Sequence, residues 1–374
     1  MKITGVIILV IIAGIVGCTQ AFAQPKGNKP APTHNQIAGP AYLKRNANEL
    51  KGTIITPHLE QRITPGKNVL WCSTFQLAWN ELYKLSGGPI RLKPASSMAE
   101  ILNKRGASKV DIDDASYVAM AGFAEDGLVK KIRQELKRKF RGQESPDLLN
   151  KYAPTSGFMA YGYLFKMLPF EWAFDRLRHG LTFADTKVES FGIEQYAPER
   201  ELREAKSGKQ ISILDYRSQD DFIIELKTRQ KKDHLILAKV TPKQTLEQTV
   251  HMVTDRMAHG KRSKFAESAT LSVPVLDFDL LKSYPEIQEH TILSSNKRLN
   301  GQPIDGALQS IRLRLDETGA VVKSEAIMWK LAVSNNLIFN KPFLVLLKRE
   351  GAKNPYFALW VGNSELLLPA GTGK

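Results

Sequence analysis

The residues of this chain whose types and spacing could do chemistry lie near its end, and that chemistry belongs to the main chain. Ala320, Val322, Ser324 and Ala326 are small or apolar at every second position, while Lys323 and Glu325 fall on the opposite parity. A period of two marks a strand with one buried and one wet face. The segment follows an alternating strand (Ile311, Leu313, Leu315) that runs into Asp316-Glu317-Thr318-Gly319. It precedes the compact apolar run from Phe339 to Leu347. Loops longer than about 12–15 residues are usually functional or disordered. This one reads as a strand that has not yet joined a sheet.

Side-chain catalysis finds no foothold. The sequence contains no G-x-S-x-G, H-E-x-x-H, Walker loop or C-x-x-C. Its seven histidines are scattered, and His251 and His259 share a helix at a spacing that makes no ligand pair. The expectation is a protein that is not an enzyme and takes neither metal nor cofactor. Cys72 sits among Val69, Leu70, Trp71 and Phe75, the setting of a buried, inert thiol.

The elements that must position the late segment belong to a chain of 374 residues with 43% hydrophobic and 24% charged content, enough for a sizeable core. Lys2 precedes an apolar run from Ile3 to Gly17, and Ala21-Phe22-Ala23 follows. This is the pattern of a secretory leader, residues 1–23, cut before Gln24. A second reading competes: Ile15-Val16-Gly17-Cys18 resembles a lipoprotein box, which would make Cys18 a lipidated mature N-terminus. The protein is thus expected to be secreted or periplasmic, or else anchored to a membrane through Cys18. Residues 24–40 are rich in Pro, Gly, Asn and Lys and read as a disordered tether. Residues 41–369 read as one domain, with 370–374 a tail.

A net charge of +15 favours anionic surfaces. The basic clusters are Lys130/Lys131/Arg133, Lys137/Arg138/Lys139/Arg141, Arg229/Lys231/Lys232 and Lys261/Arg262/Lys264. None interleaves with aromatics as a stacking platform would, so no nucleic-acid partner is expected. Each cluster reads first as a solvated face.

Along the domain, Phe75, Ala78, Trp79 and Leu82 mark one helix, and Val129, Ile132, Leu136 and Phe140 an amphipathic helix over 126–140. Residues 111–120 and 158–168 read as strands. Phe222-Ile223-Ile224 and Leu235-Ile236-Leu237 form a hairpin around the turn 229–233. Thr241-Pro242-Lys243-Gln244 reads as a helix start with Thr241 as N-cap, and Leu246, Val250, Val253 and Met257 as the buried stripe. Ala269, Leu271 and Val273 alternate as a strand. The class is α+β, with large mixed or antiparallel sheets and helices early in the chain.

Several stretches, in order, resemble the serpin family. Asp316-Glu317-Thr318-Gly319 is similar to the hinge that opens the reactive loop, and Phe339-Asn340-Lys341-Pro342-Phe343-Leu344 to the strand that follows it. Asn354-Pro355-Tyr356-Phe357-Ala358, with Val361 and Asn363, resembles the closing strand. Upstream, residues 271–278 resemble "YLPKFKLE", 161–166 "NAIYFKG" and 68–71 the "NVFFSP" lead-in to a helix. Departures accompany them. Cys72-Ser73-Thr74-Phe75-Gln76 replaces "SPxSI", Tyr161 and Gln309 stand at the shutter Asn and His, and Leu359 replaces a glycine. The stretch 141–158 is too short for the helix that covers the main sheet, and 42–67 makes a poor first helix.

The resemblance implies a serpin-like fold with an exposed reactive-centre loop and suicide inhibition of a serine or cysteine protease by a monomer. The hinge would be Glu317, Thr318, Gly319, Ala320, Val322, Ser324 and Ala326, and the scissile bond would lie within Lys330, Leu331, Ala332 and Val333. Lys330 would suit a trypsin-like target, and Leu331 a chymotrypsin- or elastase-like one. After cleavage the loop 320–338 would enter the sheet with its small parity inward, since a one-residue slip would bury Lys323 and Glu325. The alternative is a non-inhibitory serpin-fold binder, with anionic polysaccharide or another polyanion as partner.

Overall fold

The computed structural model describes residues 7–13, 43–141, 147–194, 208–266, 269–317 and 336–371, the first of these as backbone. In chain order the main elements begin with β1 (Ile7–Ala13), β2 (Leu43–Asn46), β3 (Thr53–Thr56), β4 (Asn68–Cys72), α1 (Thr74–Ser86) and α2 (Ser97–Asn103). There follow β5 (Tyr117–Phe123), α3 (Leu128–Phe140), α4 (Asp147–Tyr152), β6 (Phe158–Phe165), β7 (Asp175–Arg176) and β8 (Ser190–Ile193). The middle of the chain supplies β9 (Ile211–Ser218), β10 (Asp221–Leu226), β11 (Asp233–Lys239), α5 (Leu246–His259) and β12 (Ser263–Lys264). The last third adds β13 (Leu271–Pro274), β14 (Leu276–Ser283), β15 (Gly306–Leu315), β16 (Leu337–Ile338), β17 (Phe343–Arg349) and β18 (Phe357–Val361).

The fold is α+β with two large mixed sheets. A six-stranded sheet has the order β2-β14-β15-β1-β6-β5, and an eight-stranded sheet the order β12-β9-β10-β11-β17-β18-β4-β3. The second explains the densest apolar run of the sequence. Phe343, Val345 and Leu347 face Leu313 and Phe278 of the six-stranded sheet, while Leu344 and Leu346 face α5 through Val250 and Val253. Both faces of β17 are buried, so its sequence is continuously apolar rather than alternating. Helices α3 and α4 cover the outer face of the six-stranded sheet with Ile132, Leu136, Phe140 and Leu149.

Most expected elements form, among them both helices read from their apolar stripes and the 221–239 hairpin. Two differ. The strand expected over 111–120 begins only at Tyr117, because Asp111, Asp113 and Ser116 satisfy local amides and hydroxyls and wind 109–116 into short turns. The helix expected from Thr241 starts at Leu246 with Thr245 as its cap, whose hydroxyl accepts from Gln248 N at 3.2 Å. Main-chain bonds tie Gln244, Leu246 and Glu247 to residues 59–63, holding that segment extended. Between Arg141 and Phe158 the only described helix is α4, a short one, and no α-helix forms among the described residues 43–67.

Candidate functional site

The segment singled out for its parity leaves β15 and returns at β16. Thr318, Gly319, Ala320, Val322, Ser324, Ala326, Lys330, Leu331, Ala332 and Val333 lie outside the described residues, as do most of the leader and the tether. Glu317 and both flanking anchors are described, as is the sheet beside them.

At the departing end, β15 alternates as read from the sequence. Ala307, Gln309, Ile311 and Leu313 point inward and are buried, and Arg312 and Arg314 point outward. Arg312 pairs with Asp277 on β14, and Arg314 Nε meets Asp316 Oδ2 at 2.5 Å. Arg176 on β7 then bridges two strands: its Nε donates to Glu189 Oε2 at 3.1 Å and its Nη1 to Glu317 Oε2 at 2.7 Å. Burial works against the guanidinium charge, but Glu317 and Glu189 outweigh it and raise the Arg176 pKa. This latch stays partly wet, at 30% and 27% side-chain exposure for Arg176 and Glu317.

The returning end is sunk into the body. Leu337 N donates to Thr270 O and Phe339 N to Ser272 O, each at 2.9 Å, in a parallel pairing of β16 with β13. Thr270 Oγ1 reaches Asn336 Oδ1 at 2.9 Å. Phe339 is fully buried, its ring 5.0 Å from that of Phe222 and 5.1 Å from that of Phe343. Lys239, at 4% exposure, donates to Ile338 O, Asn340 Oδ1 and Gln219 O and pairs with Asp220 at 2.7 Å. Asp220 also pairs with Lys341, and the two ammonium groups hold its carboxyl below the usual aspartate range.

In the six-stranded sheet, β1 fills the strand position between β15 and β6. β1 runs parallel to β15 on one side and to β6 on the other, so those two strands are parallel to each other. A segment leaving the end of β15 and folding back would run antiparallel to both, and the same ladder groups can bond either direction. β1 spans seven residues, the same length as the alternating set from Ala320 to Ala326.

Under this position lies a buried polar cluster. Gln309 Nε2 donates to Cys72 O at 3.3 Å and Thr74 Oγ1 at 3.2 Å, and Tyr284 OH donates to Gln309 Oε1 at 2.5 Å. Burial pushes the Tyr284 phenol well up, keeping it a neutral donor, and its ring packs 4.6 Å from that of Phe75. Gly162 on β6 passes so close to α1 that an added Cβ would stand 2.5 Å from Thr74 O. Of the two altered shutter positions, Gln309 belongs to this cluster. Tyr161 faces the opposite way, into the apolar layer under α3 and α4. Sequence reasoning singled out the stretch that holds Thr74 but missed Tyr284, which carries no motif of its own. Cys72 is as inert as expected: burial raises its thiol pKa to about 12. Among the described residues no three His, Cys, Asp or Glu side chains converge as a metal site.

No protein-family model matches the sequence, and no curated protein matches it. Solved structures with a similar fold do exist. Thyroxine-binding globulin in complex with thyroxine is 12% identical, with a TM-score of 0.46 over 80% of this chain and 94% of that one. Manduca sexta serine protease inhibitor (serpin)-12 is 14% identical, at 0.41 over 74% and 73%. Serpin48 of Tenebrio molitor is 12% identical, at 0.39 over 80% and 92%. These are likenesses of fold at long distance, and what the chain does has to be drawn from its own anchors, cluster and loop.

Proposed function

We propose that the chain is an exported, monomeric serpin-type inhibitor in which the loop 320–338 is bait and then strand. A serine or cysteine protease attacks a bond within Lys330–Val333, forming an acyl-enzyme, and the freed segment enters the six-stranded sheet with Ala320, Val322, Ser324 and Ala326 inward. Serpin loop insertion is itself a recognised case of strand addition, driven by new main-chain hydrogen bonds and relief of strain. The observation that carries the reading is the strand position between β6 and β15, which lies alongside Gly306–Ile311, a few residues short of the end of β15 at Leu315. The leader reading fits it: loss of residues 1–23 on export, or of 1–17 before a lipidated Cys18, removes β1 and leaves this position for the loop.

A second reading has its own support. The Tyr284–Gln309–Thr74 cluster ties β15 to α1 by side-chain hydrogen bonds, and α4 is too short to cover the sheet as the family's front helix does. A sheet held this way suits a non-inhibitory binder that keeps its loop outside.

Incubation of the exported protein with a panel of serine and cysteine proteases separates the two. Inhibition predicts a covalent complex that survives denaturing electrophoresis. Cleavage within Met328–Val333 that yields neither complex nor a rise in melting temperature overturns insertion and leaves the binder.

A further inference from the structure

The two large sheets have four ends, and three of them are short strands. β2 and β3 have four residues each and β12 has two. β2 also carries Lys44 and Arg45. Short and charged end strands give a second chain little to pair with. β5, at the remaining end, has seven residues, Tyr117 to Phe123, with no charge and no proline among them. That composition marks a segment that pairs readily with its own kind.

The inner edge of β5 is taken by β6, in an antiparallel ladder from Tyr117 against Leu164 to Phe123 against Phe158. Along such a ladder, alternate residues turn both main-chain groups away from the partner. Two ammonium groups show which residues these are: Lys139 Nζ donates to Tyr117 O at 3.0 Å and Lys109 Nζ to Ala119 O at 3.4 Å. By alternation, Ala121 turns the same way. No strand among the described residues pairs with this outer edge. A cleft of about 450 Å³ lies beside it, lined by Val118, Ala119 and Met120 and by Lys131, Gln134 and Glu135 of α3.

Both lysines are held there from other elements. Lys139, on α3, is only 7% exposed; it pairs with Asp114 at 3.1 Å and Glu135 at 3.7 Å and also donates to Asp114 O. Lys109 pairs with Glu81 of α1 at 3.0 Å. Their ammonium groups stand 4.9 Å and 6.0 Å from the centroid of the Tyr117 ring. A lysine this far out of water is uncommon, because taking an ammonium out of solvent carries a cost that its ion pairs only offset.

We infer that the outer edge of β5 is a latent self-association surface, and that Lys109 and Lys139 hold it shut against a second copy of this chain. An antiparallel strand edge is complementary to itself about a two-fold axis, so a second copy is the partner that this edge fits. With the lysines in place, the carbonyls of Tyr117 and Ala119 are already bonded and cannot accept from a partner's amides. Joining two copies would also bring the ammonium groups of both onto one ladder, where like charges repel. The inference holds under either reading of the loop, and its test does not involve a protease.

Sedimentation of the full chain over a range of concentrations reads the outcome. K109M/K139M removes both donors while keeping most of each stem, and its self-association should be about tenfold or more tighter than that of the unaltered chain. Adding Ala121→Pro should undo the gain, since proline offers a partner no N–H and this residue gives none to β6. Lys139→Arg keeps a cation with donors and should stay monomeric. So should K104M/K231M, which removes equal charge from lysines paired with Glu60 and Glu171. A monomeric K109M/K139M, association that survives Ala121→Pro, or equal association in K104M/K231M would overturn the assignment. Amide exchange in the unaltered chain guards against a variant that merely misfolds. The outward amides of Ala119 and Ala121 should exchange about a hundredfold or more faster than those of Val118 and Met120, which face β6. Equal protection along the strand would mean that the edge is not open, and would overturn the assignment as well.

Discussion

The two ends of the segment 318–335 are held by different physics. The returning end is a buried plug: Phe339 in an aromatic cluster, Lys239 out of water with three oxygen acceptors and a carboxylate. The departing end is a half-wet latch, Arg176 across to Glu317. Burying an aromatic ring is worth several kcal/mol, whereas a partly exposed ion pair contributes about 0–1 kcal/mol. The proposed insertion needs this difference, a firm hold at one end and a weak one at the other. The weakly held end joins the alternating residues, and the firmly held end joins the candidate bait bond.

Four measurements test this contrast. Phe339→Ala should cost about 3–5 kcal/mol in denaturant unfolding, because the ring leaves a cavity between β10 and β17. A loss below about 1 kcal/mol would mean that the returning end is not a plug. Lys239→Met should cost about 2–3 kcal/mol, since Ile338 O, Asn340 Oδ1 and Gln219 O lose their donor while the stem volume is kept; amide exchange at Ile338–Asn340 should rise with it. Glu317→Gln should change global stability by less than about 1 kcal/mol, yet speed protease cutting within 318–335. A global loss as large as that of Phe339→Ala would erase the asymmetry.

The smallest expected effect is a pH response. The Asp220 carboxylate has a lowered pKa, so its contribution is present above about 3.9, the unfolded value, and is lost as pH falls through the lower folded value. Acid titration followed by amide exchange near Ile338 should show protection persisting below the ordinary aspartate range. That persistence should vanish in Asp220→Asn, and an unchanged profile would remove Asp220 from the anchor.

Much of this was legible locally. The run from Phe343 to Leu347 announced a strand buried on both faces, and the stripe from Val129 to Phe140 a helix on a sheet, because periodicity reports burial directly. The inward parity of Ile311, Leu313 and Leu315 follows from alternation. The helix starts at Leu246 and not at Thr241 because long-range main-chain pairing with residues 59–63 overrides a good local cap. Tyr161 stands by resemblance at the shutter Asn, yet strand parity turns it to the face under α3 and α4.

By itself, then, the sequence determined the strongly periodic strands and helices and the burial of Cys72, all set by neighbours a few residues apart. Only the tertiary structure decided which charges meet. Arg176 and Glu317 are 141 residues apart in sequence, and Lys239 and Asn340 are 101 apart. A pairing at that range leaves no trace in local pattern, since it exists only once distant strands have come together and placed one side chain within reach of the other.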